Sequence, residues 1–286
     1  MFPGMQDNRH IRGERSEMDK TGRDGEAGRG WALILGASSG FGAAVGSALA
    51  VRGFDICGVH LDRRSTIENA ERTRESIEQT GRRALFFNVN AADEKKRASV
   101  IEELGAVCGA GEMRVLFHSL AFGSLAPLVG EDAKSSARAS QVAMTLDVMA
   151  GSLVYWAQDL VWSGLLGEGG RILAMTSAGS ARATRGYGMV SAAKAALEAY
   201  VRQLALELAP RCITANAIRA GVTETAALHK IPDWEKLRDR AMATNPAGRL
   251  TCPEDVAAFV SLLVEPGAAW VSGNVLGVDG GEDVVG

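Results

Sequence analysis

Tyr187 and Lys194 stand seven residues apart in the stretch RGYGMVSAAKAALEAYVRQLALELAP. Seven residues are close to two turns of an α-helix, so a helix from Tyr187 to Leu208 brings both side chains towards one face. A neutral phenol beside a fixed ammonium can donate a proton, or a hydrogen bond, to an oxygen gaining negative charge. The same ammonium can hold a sugar hydroxyl. Tyrosine and lysine meet at this spacing in many helices, so their chemistry depends on what the chain places around them.

A second chemical signal lies near the start. The apolar run WALIL leads into Gly36-Ala37-Ser38-Ser39-Gly40-Phe41-Gly42, and a small-residue helix follows. Glycines in this GxxxGxG spacing let backbone approach a pyrophosphate, whose charge is attracted by free N–H groups at a helix N-terminus. Ser38 and Ser39 add donors that a plain tight turn would not require. Gly36, Ser38, Ser39, Gly40, Phe41 and Gly42 are therefore candidate dinucleotide contacts. The second apolar run ends His60-Leu61-Asp62-Arg63-Arg64. An acid at such a strand end accepts bonds from the adenosine ribose and favours NAD, whereas arginines hold the extra phosphate of NADP. His60 falls where the acid would usually lie and two arginines follow. The balance favours NADP(H), and Asp62 leaves NAD(H) open.

Seven apolar runs, WALILGA, FDICGVHL, ALFFNV, MRVLFHS, RILAMTS, ITANAI and NVLGVDG, read as strands. Helical patterns separate most of them: one closed by Gly53, one over residues 65–80, one reaching about 109, one over about 135–166 and one over 187–208. Continuously apolar strands need cover on both faces, and alternation with helices supplies it. The expectation is one α/β domain built on a doubly wound parallel sheet. Residues 222–249 interrupt the alternation just beyond a strand's C-terminal end, where such sheets bind ligands. They are a candidate substrate lid, and their Ala- and Met-rich composition suits an acyl chain as well as it suits ordinary helix core.

The 286 residues are 47% hydrophobic and carry a net charge of −3, which gives no electrostatic case for nucleic acid or a membrane surface. No apolar run approaches the ~20 residues that span a bilayer, and cytoplasmic residence is the default expectation. Cys57, Cys108, Cys212 and Cys252 are widely spaced, so neither a zinc site nor any other metal is expected. Residues 1–29 are rich in Gly, Arg, Asp and Glu and are expected to form a disordered arm.

The glycine turn, HSLAFG, the Tyr–Lys helix, ANAIRAGVTET and GNVLGVDGG together resemble the short-chain dehydrogenase/reductase family, over almost all of residues 31–283. The resemblance implies a Rossmann-type fold. Most of that family spaces its tyrosine and lysine as YxxxK. Val190 occupies that tyrosine position here, and Tyr187 lies three residues earlier. This Y-x6-K spacing is similar to the enoyl-acyl-carrier-protein reductases of fatty acid synthesis. Ser177, ten residues before Tyr187, is similar to the NADPH-using branch called enoyl reductase III.

The resemblance implies further cofactor contacts at His118, Ser119 and Leu120 after the fourth strand, with the backbone of His118 beside the cofactor. It implies others at Asn88-Val89 beside adenine, and at Gly221, Val222, Thr223 and Thr225. The family's helix asparagine, part of a proton relay in its carbonyl reductases, corresponds to Met149, or at best to the nearby Asp147. What the resemblance implies is NADPH-dependent reduction of a trans-2-enoyl thioester on acyl carrier protein or coenzyme A, with Tyr187, Lys194 and Ser177 catalytic, in a homotetramer joined through helices near 135–166 and 187–208. A carbonyl reductase of the same family and a non-catalytic NADP(H) sensor are the alternatives.

Overall fold

The computed structural model describes residues 29–285; the expected arm over residues 1–28 lies outside the described residues. Arg29, placed by sequence in that arm, belongs to the folded body. Its N–H donates to Gly53 O at 3.0 Å, and its guanidinium pairs with Glu265 at 2.7 Å.

The elements run β1 (Trp31–Leu35), α1 (Gly40–Val51), β2 (Asp55–His60), α2 (Ile67–Glu78), β3 (Ala84–Asn88), α3 (Glu94–Val107), β4 (Met113–His118), α4 (Ala139–Leu146), α5 (Ser152–Trp162), β5 (Leu166–Thr176), α6 (Gly188–Leu208), β6 (Thr214–Ala220), α7 (Trp234–Thr244), α8 (Pro253–Leu263) and β7 (Val275–Val278). All seven strands are parallel in one sheet of order β3-β2-β1-β4-β5-β6-β7. The order reverses between β1 and β4, which opens a crevice at the strands' C-terminal ends.

Side chains alternate across each strand, and both faces of the central strands are dry, while the edge strands β3 and β7 are only partly covered. Trp31, Leu33 and Leu35 join the cluster containing Leu104, Leu153, Trp156 and Leu197, from α3, α5 and α6. Ala32 and Ile34 join the cluster containing Val45, Leu49, Val256 and Val260, from α1 and α8. Unbroken apolar runs are thus what a sheet covered on both faces demands.

The structure corrects one reading and adds two helices, α7 and α8. The helix expected over about 135–166 begins only at Ala139, because Asp132 accepts hydrogen bonds from the Lys134 and Ser135 N–H groups and holds that stretch in a turn. It ends at Trp162, two residues before Gly164 at φ +73°, and residues from Leu166 enter β5. Between α4 and α5 the helix widens into a π stretch, Asp147–Gly151. Within the candidate lid, residues 234–244 form α7. Helix α8 was not foreseen, although Pro253 in its first turn and Asp255, accepting from Cys252 N–H at 2.9 Å, are helix-start signals.

Trp156 is fully buried and its Nε1 donates to Ala91 O at 2.9 Å, tying α5 to the loop after β3. Trp156→Ala is expected to lower unfolding free energy by about 3–5 kcal/mol, measured by urea denaturation.

Candidate active site

Lys194 sits two turns into α6 and is 5% exposed. Its Nζ donates to Met175 O at 2.8 Å and to Leu120 O at 3.3 Å, which leaves one of three N–H donors unassigned. Burial pulls its pKa down to about 8, with the nearby Glu198 carboxylate opposing the shift. Tyr187 stands at the N-cap of α6. Burial pushes its phenol above the usual value, so the group stays protonated at neutral pH. Tyr187 and Ser177 flank Gly179, where an added Cβ would lie 2.7 Å from the tyrosine ring and 3.2 Å from Ser177 Oγ. The buried Ser177 Oγ has no hydrogen-bond partner among the described residues. An orphaned hydroxyl beside a neutral phenol is a pair of donors awaiting an oxygen.

Both groups line a cavity of about 600 Å³ at the C-terminal edge of the sheet, together with Phe41, Ser119, Leu120, Lys194, Gly221, Val222, Thr223 and Thr225. Its far side comes from the candidate lid: Leu228, Ile231, Leu237 and Ala241. One wall is an apolar cluster of Met149, Val190 and Ala193, packed with Leu125, Leu146 and Tyr187. The π stretch aims Met149 into this wall. Val190 and Met149 are 4% and 1% exposed, so the places that the resemblance marks for a tyrosine and a relay asparagine are dry and apolar.

The remaining sequence candidates collect at neighbouring strand ends outside that lining. Gly36 adopts φ +90°, and a Cβ there would lie 2.5 Å from Ser119 O; a Cβ at Gly42 would overlap the Gly36 carbonyl. The turn can close only with glycine at both positions. Ser39 is the N-cap of α1 and forms no side-chain cap, leaving the first N–H groups of the helix unmet. Such a cradle of unmet donors, with Ser38 and Ser39 on it, fits a dinucleotide pyrophosphate.

At the end of β2, Asp62 turns inward. Its carboxylate lies 2.9 Å from His60 Nδ1, and its backbone exchanges bonds of 2.9 and 3.0 Å with the Asn88 amide. Burial pushes the Asp62 pKa up, but bonds from Thr66, Ser38 and His60 outweigh it and hold the carboxyl below its usual value. Arg63 and Arg64 are exposed, and Val89 packs partly buried against the core. His118 alone points away from the others. It is fully buried against Ser152 Oγ at 2.9 Å, and burial, with the Lys194 charge, lowers its pKa to about 3, so it is a neutral core residue.

Sequence reasoning did not find Glu282, whose carboxylate accepts from Val222 N–H at 3.0 Å across 60 residues. No local pattern announces so long a contact. Leu125, Leu228 and Leu237 were equally invisible, because cavity-lining and core leucines look alike in a sequence.

An open parallel sheet with a glycine turn after its first strand and a Tyr–Lys pair at its crevice defines a nucleotide-dependent oxidoreductase. Residues 36–282 match the family model described as enoyl-(acyl carrier protein) reductase. The chain is 29% identical over 260 residues to 1-cyclohexenylcarbonyl-CoA reductase of Streptomyces collinus, with 88% of this chain and 86% of that protein covered. It is 33% identical over 253 residues to a 3-oxoacyl-(acyl-carrier-protein) reductase of Aggregatibacter actinomycetemcomitans, covering 87% and 97%. Among solved structures, a short-chain dehydrogenase from Burkholderia cenocepacia in complex with NADP superposes with a TM-score of 0.78 at 27% identity, covering 90% and 98%. The chain belongs to the short-chain dehydrogenase/reductase family and is an NAD(P)-dependent oxidoreductase.

Two outcomes follow from this geometry. Gly42→Ala is expected to lose about 1–3 kcal/mol of stability through overpacking, read as a lower Tm, and to weaken NADPH binding in a fluorescence titration. Lys194 releases its proton near pH 8 when folded and near 10.5 when unfolded. Between those values the unfolded chain binds more protons, so this group makes stability rise with pH. Denaturation midpoints followed across that window should rise less in Lys194→Met than in the wild type.

Proposed function

We propose that this chain reduces the C2–C3 double bond of a trans-2-enoyl thioester, carried on acyl carrier protein or coenzyme A, with NADPH. The observation that carries this reading is the dry wall of Met149 and Val190 beside Tyr187. Reduction of a ketone needs a proton delivered to a developing alkoxide and replenished from solvent. Reduction of an enoyl thioester needs, at the thioester oxygen, only stabilisation of an enolate, and the proton that completes the reduction would be taken up from solvent at C2. A phenol and a hydroxyl set in apolar surroundings, with no relay behind them, suit the second task. The similarity to 1-cyclohexenylcarbonyl-CoA reductase supports a conjugated thioester substrate.

The turn from Gly36 to Gly42 would hold the pyrophosphate. His60, Asp62 and Arg63 would meet the adenosine ribose, with Asn88 and Val89 beside the adenine. Asp62 turned onto His60, with Arg63 exposed beyond it, supports NADP(H), as does the NADP complex of the Burkholderia relative. Leu120, Ser119, the His118 backbone and the stretch from Gly221 to Thr225 would line the nicotinamide end, and Lys194 would hold its ribose with the remaining N–H. When bound, NADPH supplies the hydride that reaches C3. The Tyr187 hydroxyl hydrogen-bonds the thioester oxygen, where negative charge accumulates. Ser177 adds a second donor, and the Lys194 ammonium stabilises the same charge through its field. The lid side of the cavity, Leu228, Ile231 and Leu237, would cover the acyl chain and exclude water. Exposed Trp162 and Leu206, on α5 and α6, support assembly into a homotetramer through those helices.

Reduction of a 3-oxoacyl thioester is the second reading, favoured by the 33% identity to such a reductase. Loss of NADPH absorbance, followed with crotonyl and longer trans-2-enoyl thioesters beside 3-oxoacyl thioesters, simple ketones and NADH, separates the two. Turnover of the enoyl substrates, reduced about 100-fold or more in Tyr187→Phe with cofactor affinity kept, is the expected outcome; Lys194→Ala should lose both. Turnover of oxo substrates alone would sink the enoyl reading, and tight NADPH binding without any turnover would favour a sensor.

A further inference from the structure

At the opposite edge of the sheet, where the strands begin, a second cavity of about 990 Å³ opens beside Trp270, which is 99% exposed. Three arginines line it, Arg29, Arg114 and Arg171, against one carboxylate, Glu112. Arg29 is neutralised by Glu265, and Glu112 is turned to accept Gly109 N–H at 2.8 Å. None of the ion pairs among the described residues includes Arg114 or Arg171. Both guanidinium groups nevertheless reach the turn at Gly169. Arg171 Nη1 donates to Gly169 O at 2.7 Å, and a Cβ added to Gly169 would lie 3.1 Å from Arg114 Nη2. Arg171 is buried and Arg114 partly so, and like charges lining one cavity raise each other's cost unless an anion joins them. Arg171 is 6% exposed, and burial together with the charge of Arg114 holds its pKa below the usual value.

Thr214 lines the same cavity, is 5% exposed, and its hydroxyl has no hydrogen-bond partner among the described residues. The wall beyond is apolar, with Ile213, Val264 and Trp270. A structural role accounts for part of this: Arg171 Nε donates to Leu263 O at the C-terminus of α8, at 3.2 Å. It leaves the Arg114 guanidinium and the Thr214 hydroxyl unexplained. A small inorganic anion would leave the apolar wall uncovered, and an uncharged chain would leave both guanidiniums unpaired.

We propose that this cavity binds a carboxylate carried on an apolar chain, of the fatty-acid class. The carboxylate is held by Arg114, Arg171 and the Thr214 hydroxyl, and the chain lies along Ile213, Val264 and Trp270. Planar guanidinium forks match a carboxylate's two oxygens, which makes the head group the source of specificity. The site lies at the other end of the strands from Tyr187 and Lys194 and does not depend on which substrate they reduce.

The test is isothermal titration of the full chain with dodecanoate below its micellar concentration, run beside dodecanol and acetate. The expected result is saturable binding of one dodecanoate per chain, about tenfold or more tighter than either control and weakened about tenfold or more by Arg114→Gln. Thr214→Val, nearly isosteric, should also weaken it and carries the test if Arg114→Gln fails to fold. No saturable binding, equal binding of dodecanol, or dodecanoate affinity unchanged in the folded variants would overturn the proposal.

Discussion

An ammonium taken out of water must be met by oxygen, and the Lys194 Nζ is met by carbonyls from two different parts of the sheet edge. One belongs to Met175 near the end of β5 and the other to Leu120 in the loop after β4. This interaction fixes α6 in rotation and in height against the sheet. Everything else in the crevice is referred to it. With Lys194 seated, Tyr187 is carried to the mouth of the helix, Val190 is turned into the apolar wall, and the loop after β4 is drawn beside the glycine turn. The group most costly to bury is also the one that sets the geometry of the site.

The electrostatics of the two ends of the sheet contrast. At the C-terminal edge the donors are few and directed: a phenol kept protonated by burial, an orphaned serine hydroxyl, and an ammonium with two of its three bonds spent. His118, fully buried behind the crevice, is held neutral by burial and by the Lys194 charge. Such a site can stabilise an anion that forms transiently without binding a resident one tightly. At the N-terminal edge two permanent guanidinium charges reach the turn at Gly169, and neither is ion-paired among the described residues.

The sheet was legible because dry strands must be apolar from end to end, and all seven runs became strands. The glycine turn was legible because close backbone approach admits almost no other residue at Gly36 and Gly42. The Tyr187–Lys194 relation could be read from helical spacing, and the departure at Val190 from the usual pattern. What could not be read depends on tertiary partners. Nothing near Glu282 says that it will hold the Val222 N–H, and nothing near Met149 says that the helix will widen there. The helix over about 135–166 was overextended because an apolar pattern continues into β5 without a change that composition alone reveals; Gly164 was the available stop signal. Asp62 shows the limit most clearly. Its identity suggests a ribose acceptor, and only its neighbours His60, Ser38 and Asn88 show where its oxygens and backbone are already engaged.

The π stretch at Asp147–Gly151 inserts about one extra residue into a turn and so changes the phase of the helix that follows. Within and just before it, Met149 and Leu146 join the apolar cluster beside Tyr187; downstream, Leu153, Trp156 and Leu160 face the sheet. One continuous helix thereby presents two independent faces, one to chemistry and one to the core. Divergence within such a fold can re-tailor the apolar wall at 146–149 while the load carried at 153–160 is untouched, so the shape of the cavity and foldability are free to evolve on separate clocks.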